Sequence, residues 1–137
     1  MKALIRLARE YQQGPVLIGY LSEKEKIPKK FLEAILLEMR NAGILNSRKG
    51  KGGGYYLIKN PEEVTMAQII RLFDGPLALL PCVSLNYYER CEECIDEATC
   101  GLRMMAAEVR DETVNILKNT TLSDIIKRED AAINARK

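Results

Sequence analysis

Histidine is absent from this chain of 137 residues. Ser-His-Asp and Cys-His catalysis are thereby excluded, as is any zinc site with a histidine ligand from within the chain. Tryptophan is also absent and there are only 2 phenylalanines, so leucine, isoleucine, methionine and alanine must fill the core. No apolar run approaches the roughly 18 residues of a membrane span. The opening Met1-Lys2-Ala3-Leu4 lacks the apolar stretch of a secretory signal. A cytoplasmic protein with no membrane contact is expected. Neither a nucleophile elbow nor an activated-cysteine environment is visible, which argues against an enzyme.

Charge is present but divided. The formal net charge of +2 hides a front segment, residues 1–60, with 12 basic and 5 acidic side chains, net +7. Residues 61–137 carry 9 basic and 14 acidic ones, net −5. The split suggests two surfaces with different partners. Hydrophobic content of 47% supports a packed core.

Apolar spacing predicts helices over Lys2–Gln13, Leu17–Glu25 and Pro28–Ala42. The third is expected to bury Phe31, Leu32, Ile35, Leu36 and Met39, and to stop at Gly43. Strand signals at Ile44–Ser47 and Tyr55–Ile58 flank a basic glycine loop and read as a hairpin. A fourth helix is expected over Met66–Phe73, capped by Thr65. Residues 76–97 read mostly as loop, and a long helix follows over Ala98–Lys118. Its stripe of Leu102, Met105, Val109, Thr113 and Ile116 has near-heptad spacing, and no other helix in the chain matches its length. A homodimer partner would cover it. A short last helix should begin near Thr121, with a frayed polar tail from Glu129. The fold class is therefore mainly α with a small β-hairpin: a winged helix-turn-helix plus a long C-terminal dimerisation helix. The expected division is a DNA-binding region at 1–75, a cysteine-bearing sensor loop at 76–97, and a dimerisation helix with tail at 98–137.

Helix-turn-helix proteins set the first turn of their second motif helix against base edges in the major groove. Here that turn is Pro28-Lys29-Lys30-Phe31. Lysines at a helix N-terminus oppose the helix dipole, a conflict that a phosphate backbone or plain solvation relieves. Arg48, Lys49 and Lys51 stand among Gly50, Gly52, Gly53 and Gly54. A thin basic wing suits the narrow, negative minor groove. A nucleotide-binding loop would need a helix directly after the glycines, where Tyr55–Ile58 reads as strand.

Four cysteines, Cys82, Cys91, Cys94 and Cys100, have 8, 2 and 5 residues between them. A structural zinc site usually pairs two Cys-x2-Cys knuckles, and only one is present. Spacing alone leaves metal or cluster binding open beside free thiols or a redox disulfide. Glu89, Glu92, Glu93, Asp96 and Glu97 crowd these residues, and like charge should keep the free thiols poor nucleophiles.

The stretches Ile27–Glu33, Leu37–Leu45 and Ser47–Tyr55 resemble the Rrf-type bacterial repressors. That group includes an iron–sulfur cluster regulator, a nitric-oxide-sensing repressor and a cysteine-metabolism repressor. The resemblance implies a homodimer binding a double-stranded DNA operator with two half-sites. It implies that Pro28, Lys30, Glu33 and Ala34 face the major groove and that Lys49 reaches the minor groove. Glu33 would accept from cytosine, or simply pair with Lys29 or Lys30. For members that sense through a [2Fe–2S] or [4Fe–4S] cluster, the pattern implies Cys82, Cys94 and Cys100 as ligands, with Cys91 an extra or fourth one. Two features depart from the family. Arg103 stands where the cluster regulator has a histidine, and the chain begins inside the family's first-helix pattern. The other implied type is cluster-free, with zinc-bound or reduced cysteines and control by a partner protein.

Overall fold

A computed structural model describes all 137 residues. It contains six helices and one two-stranded antiparallel sheet. The chain forms two compact units: Met1–Val64 together with Thr121–Lys137, and Thr65–Thr120. No helix is long and apolar enough to cross a membrane.

The first unit is the three-helix-and-hairpin arrangement. Helix α1 (Lys2–Arg9) buries Ala3, Leu4, Leu7 and Ala8. It ends earlier than the apolar spacing suggests, because the chain turns through Gln12 and Gly14, both at positive φ. Helix α2 (Ile18–Glu25) closes on Lys26 in the left-handed conformation. There the Ser22 Oγ donates to the Ile27 carbonyl at 2.7 Å, fixing the turn into α3. Helix α3 (Lys29–Asn41) begins after Pro28, which caps it rather than forming its first residue. Gly43 follows α3 at φ +70, as a C-terminal glycine should.

Leu32, Leu36 and Met39 recur at helical spacing on α3 and are fully buried. Phe31, expected on the same face, is instead 62% exposed. It lies about 100° of helical rotation from Leu32, outside the buried stripe. Ile35 is half-buried at the stripe's edge.

Strands β1 (Leu45–Arg48) and β2 (Gly54–Leu57) pair in register from Leu45 with Leu57 to Arg48 with Gly54. Residues 49–53 form the tip. Helix α6 (Leu122–Asn134) starts from a reciprocal cap between Thr121 and Asp124 and belongs to this unit. It runs through the segment expected to fray. Arg9 of α1 explains this, because its Nη2 pairs with Glu129 at 3.1 Å and Asp130 at 2.7 Å.

The second unit holds α4 (Met66–Asp74), a 3-10 turn at Pro81–Val83, and α5 (Gly101–Lys118). Thr65 and Gln68 form a reciprocal cap on α4, and Gly75 ends it at φ +79. Helix α5 begins after Cys100, three residues later than the spacing suggests. Cys82, Val83 and Ala106 form a small core backed by Ala78, Leu80 and Ala107. The two units do not follow the expected linear division at residues 75 and 97. Helix α4 goes with α5, and α6 goes with the N-terminal helices.

Candidate functional site

The basic surface is built by α3 and the hairpin. Pro28, Lys29, Lys30, Phe31, Glu33 and Ala34 are all exposed on the first turns of α3. No carboxylate in the chain forms an ion pair with Lys29 or Lys30, and Glu33 has no basic partner. The simple alternative of a Glu33–lysine pair is therefore not what forms. At the hairpin, Arg48, Lys49 and Lys51 are exposed and likewise unpaired. Leaving so many cations of one sign unneutralised on one unit creates a field that draws polyanions.

The four wing glycines divide by role. A Cβ on Gly53 would stand 2.2 Å from the Arg48 carbonyl oxygen, and one on Gly54 would stand 2.3 Å from that of Val16. Those two glycines let backbone pack on backbone. Gly50 and Gly52 have positive φ but face open space, so they shape the tip without filling it. Arg40, absent from the residues expected to matter, ties α3 to the hairpin: its Nη1 donates to Ser47 Oγ at 3.2 Å. A basic residue near the end of α3 followed by a hydroxyl in the next strand was the available signal.

The second surface is a cleft of about 530 Å³ in the Thr65–Thr120 unit. All four cysteines line it, together with Glu89, Arg90, Glu92, Glu93 and Arg103. Cys82 is held in the 3-10 turn and is buried; Cys91 is exposed, and Cys94 and Cys100 lie between these extremes. Arg110 secures that turn by donating from Nη1 to the Val83 carbonyl at 2.6 Å. Cys91 and Cys94 close a tight turn in which the Cys94 amide donates to the Cys91 carbonyl at 3.1 Å. Cys100 precedes α5, and its carbonyl accepts from the Met104 amide at 3.1 Å.

All four thiols are free. Partial burial, then the neighbouring Cys100 and Glu97, push the Cys94 thiol pKa up, while Arg90 works against them and Cys91 adds to the rise. Carboxylate crowding thus acts in the expected direction, although desolvation is the larger cause. Tyr88 donates its hydroxyl to Glu97 at 2.5 Å, and this bond raises the phenol's pKa.

The donor chemistry of this cleft suits an iron–sulfur cluster, since four cysteines line one space. Arg103 adds a second point of fit, because its Nε is buried there with no hydrogen-bond partner. As placed, however, no three thiol or carboxylate side chains converge on a single metal position. On α5, Leu102, Met105, Val109 and Ile116 are exposed, with Thr113 half-buried beside them. The chain itself leaves this stripe uncovered, as its spacing suggested.

Comparison with known proteins follows the same lines. A family model described as "Rrf2: Iron-dependent Transcriptional regulator" matches residues 1–128. An rrf2-like HTH-type transcriptional regulator of Rhodobacter capsulatus is 39% identical over 129 residues, covering 92% of this chain and 86% of that protein. The HTH-type transcriptional regulator IscR of Pectobacterium atrosepticum is 27% identical, covering 93% of this chain and 74% of the relative. The solved structure of CymR, the global cysteine regulator of B. subtilis, superposes with a TM-score of 0.75 at 28% identity. It covers 93% of this chain and 89% of its own. These relatives are regulators rather than enzymes, and the fold they share is the winged helix found here. The chain belongs to the Rrf2 family of transcriptional regulators.

Proposed function

We propose that this regulator is a homodimeric repressor acting in the cytoplasm on a double-stranded DNA operator, with its DNA binding modulated at the cysteine cleft. The observation that carries the DNA reading is the set of exposed, unpaired cations on one unit: Lys29 and Lys30 on α3, and Arg48, Lys49 and Lys51 on the wing. In this reading the start of α3 enters the major groove. Pro28, Lys30 and Ala34 face base edges and methyl groups, and Glu33 accepts from cytosine N4. Lys29 engages phosphate beside Phe31, and the wing lays Lys49 into the minor groove beside Gly52.

Homodimerisation is supported by the exposed α5 stripe of Leu102, Met105, Val109 and Ile116. A self-complementary helix pair would bury it and bring two reading heads into one molecule. The chain passes between its two units twice, at Val64–Thr65 and at Thr120–Thr121.

At the cleft, Cys82, Cys94 and Cys100 would hold a [2Fe–2S] or [4Fe–4S] cluster, with Cys91 as the extra or fourth ligand. When bound, the cluster supplies sensitivity to oxidants, nitric oxide or iron supply. The chain's part is to hold it, partly shield it and order the loop at 84–100. A second reading is favoured by the lack of three converged ligands and by the similarity to a cysteine regulator. It is a cluster-free regulator, with zinc-bound or reduced thiols, governed by a partner protein.

The test is anaerobic purification of the full chain with iron, sulfide and zinc quantified, followed by selection of bound sequences from random duplex DNA. Iron and sulfide in the protein, and selected half-sites whose affinity changes on cluster removal, are expected. A colourless protein holding zinc or no metal after reconstitution would sink the cluster reading but leave the repressor reading intact. Failure to enrich any duplex sequence would sink the repressor reading.

A further inference from the structure

Arg103 lies three residues beyond Cys100, so the first turn of α5 carries both toward the same side. It lines the cleft shared by all four thiols. Its Nε is closed to solvent and finds no hydrogen-bond partner. The carboxylate it faces, Oε2 of Glu97, is 4.0 Å away, beyond hydrogen-bond reach. The other guanidinium at the cleft is already engaged, because Arg90 donates from Nη2 to the Cys94 carbonyl at 3.4 Å.

A buried donor without an acceptor is costly, and folded proteins seldom keep one. Arginine cannot relieve the cost by shedding its proton. The cleft therefore presents a permanent cation with an unfilled donor, and four cysteines line the same space. An anionic centre whose surface is sulfur satisfies both needs at once. Inorganic phosphate or a carboxylate would answer the arginine but would leave the four cysteines of the cleft without a use.

We propose that Arg103 is a positioning residue for the metal–sulfur centre of this cleft, its Nε donating a hydrogen bond to a sulfur of that centre. The inference rests on the cluster reading given above. Hydrogen bonds to sulfur and nearby charge are among the levers that set a cluster's reduction potential. Reduction adds an electron to an already anionic group, so a cation and a donor both favour the reduced form. Arg103 holds the potential higher than the thiolates alone would.

The experiment uses the full chain reconstituted anaerobically with ferrous iron and sulfide, as wild type, Arg103→Gln and Arg103→Lys. Iron and sulfide per chain are measured first, then the midpoint potential by spectroscopic titration. Arg103→Gln is expected to hold as much iron and sulfide as wild type at a lower potential. Arg103→Lys, which keeps the charge but not the Nε direction, should fall between. An Arg103→Gln potential equal to wild type overturns the proposal. Should Arg103→Gln fail to fold, Arg103→Lys decides: a potential below wild type supports the role, and an unchanged one overturns it. Wild type without iron is a different failure, since it removes the cluster reading itself and this inference with it.

Discussion

Val16 and Tyr55 exchange two backbone hydrogen bonds, each 2.8 Å long. This isolated bridge fastens the start of β2 to the segment between α1 and α2. It also brings the Val16 carbonyl against residue 54, where only glycine fits: a Cβ there would meet that oxygen at 2.3 Å, and φ is +143. Gly54→Ala should therefore destabilise the protein by about 1–3 kcal/mol through strain and a disrupted bridge. Gly52→Ala, with open space around it, should cost less, from its positive φ alone. Thermal melts of the two variants check the order. A Gly54→Ala melt no lower than that of Gly52→Ala would contradict it.

The wing lysine makes a separable prediction. Lys49 is exposed and has no ion pair within the chain, so Lys49→Ala should leave the melting temperature nearly unchanged. Its DNA affinity should fall, and the slope of log affinity against log salt should become shallower by about 1. Fluorescence anisotropy over a salt series measures both. An unchanged slope would remove Lys49 from the interface.

Asp124 gives the pH dependence. Its carboxylate accepts from the Thr121 amide and hydroxyl, both at 2.9 Å. These bonds lower its pKa below the ordinary value. A depressed folded-state pKa means that ionised Asp124 contributes stability fully above the unfolded pKa of about 3.9. That contribution fades as pH falls through the unfolded value toward the folded one. Urea melts should show wild type above Asp124→Asn at neutral pH, with the gap closing below about pH 4. A gap that widens in acid would reverse the sign.

The parts of this fold legible in the sequence were those with local causes. Gly43 ended α3, and Thr65 capped α4, because each acts on its own turn. Helix α6 runs longer than its local sequence pattern suggests because its support comes from Arg9, 120 and 121 residues away from Glu129 and Asp130. No local pattern carries that. Apolar spacing puts Phe31 inside, while the rotation of α3 turns it out. The wing glycines were legible as a tight basic tip. Their division into backbone-packing Gly53 and Gly54 and open Gly50 and Gly52 needed the bridge to Val16. At the cleft, the cysteine pattern and the departure at Arg103 are visible, but the unpartnered Arg103 Nε is not, since a missing acceptor leaves no trace in composition.

The last prediction concerns the apolar stripe of α5. Met105 and Val109 are 46% and 37% exposed, so a carboxylate there remains solvated in the single chain and should change its stability little. Against a second copy the same carboxylate would be buried without a partner, at several kcal/mol per ion. A symmetric interface buries it twice. Val109→Asp should therefore convert the protein from dimer to monomer in sedimentation equilibrium while its circular dichroism stays helical. DNA affinity should fall in parallel, because a single reading head loses the second half-site. Wild type sedimenting as a monomer, or Val109→Asp remaining dimeric, would place the partner elsewhere than on this stripe.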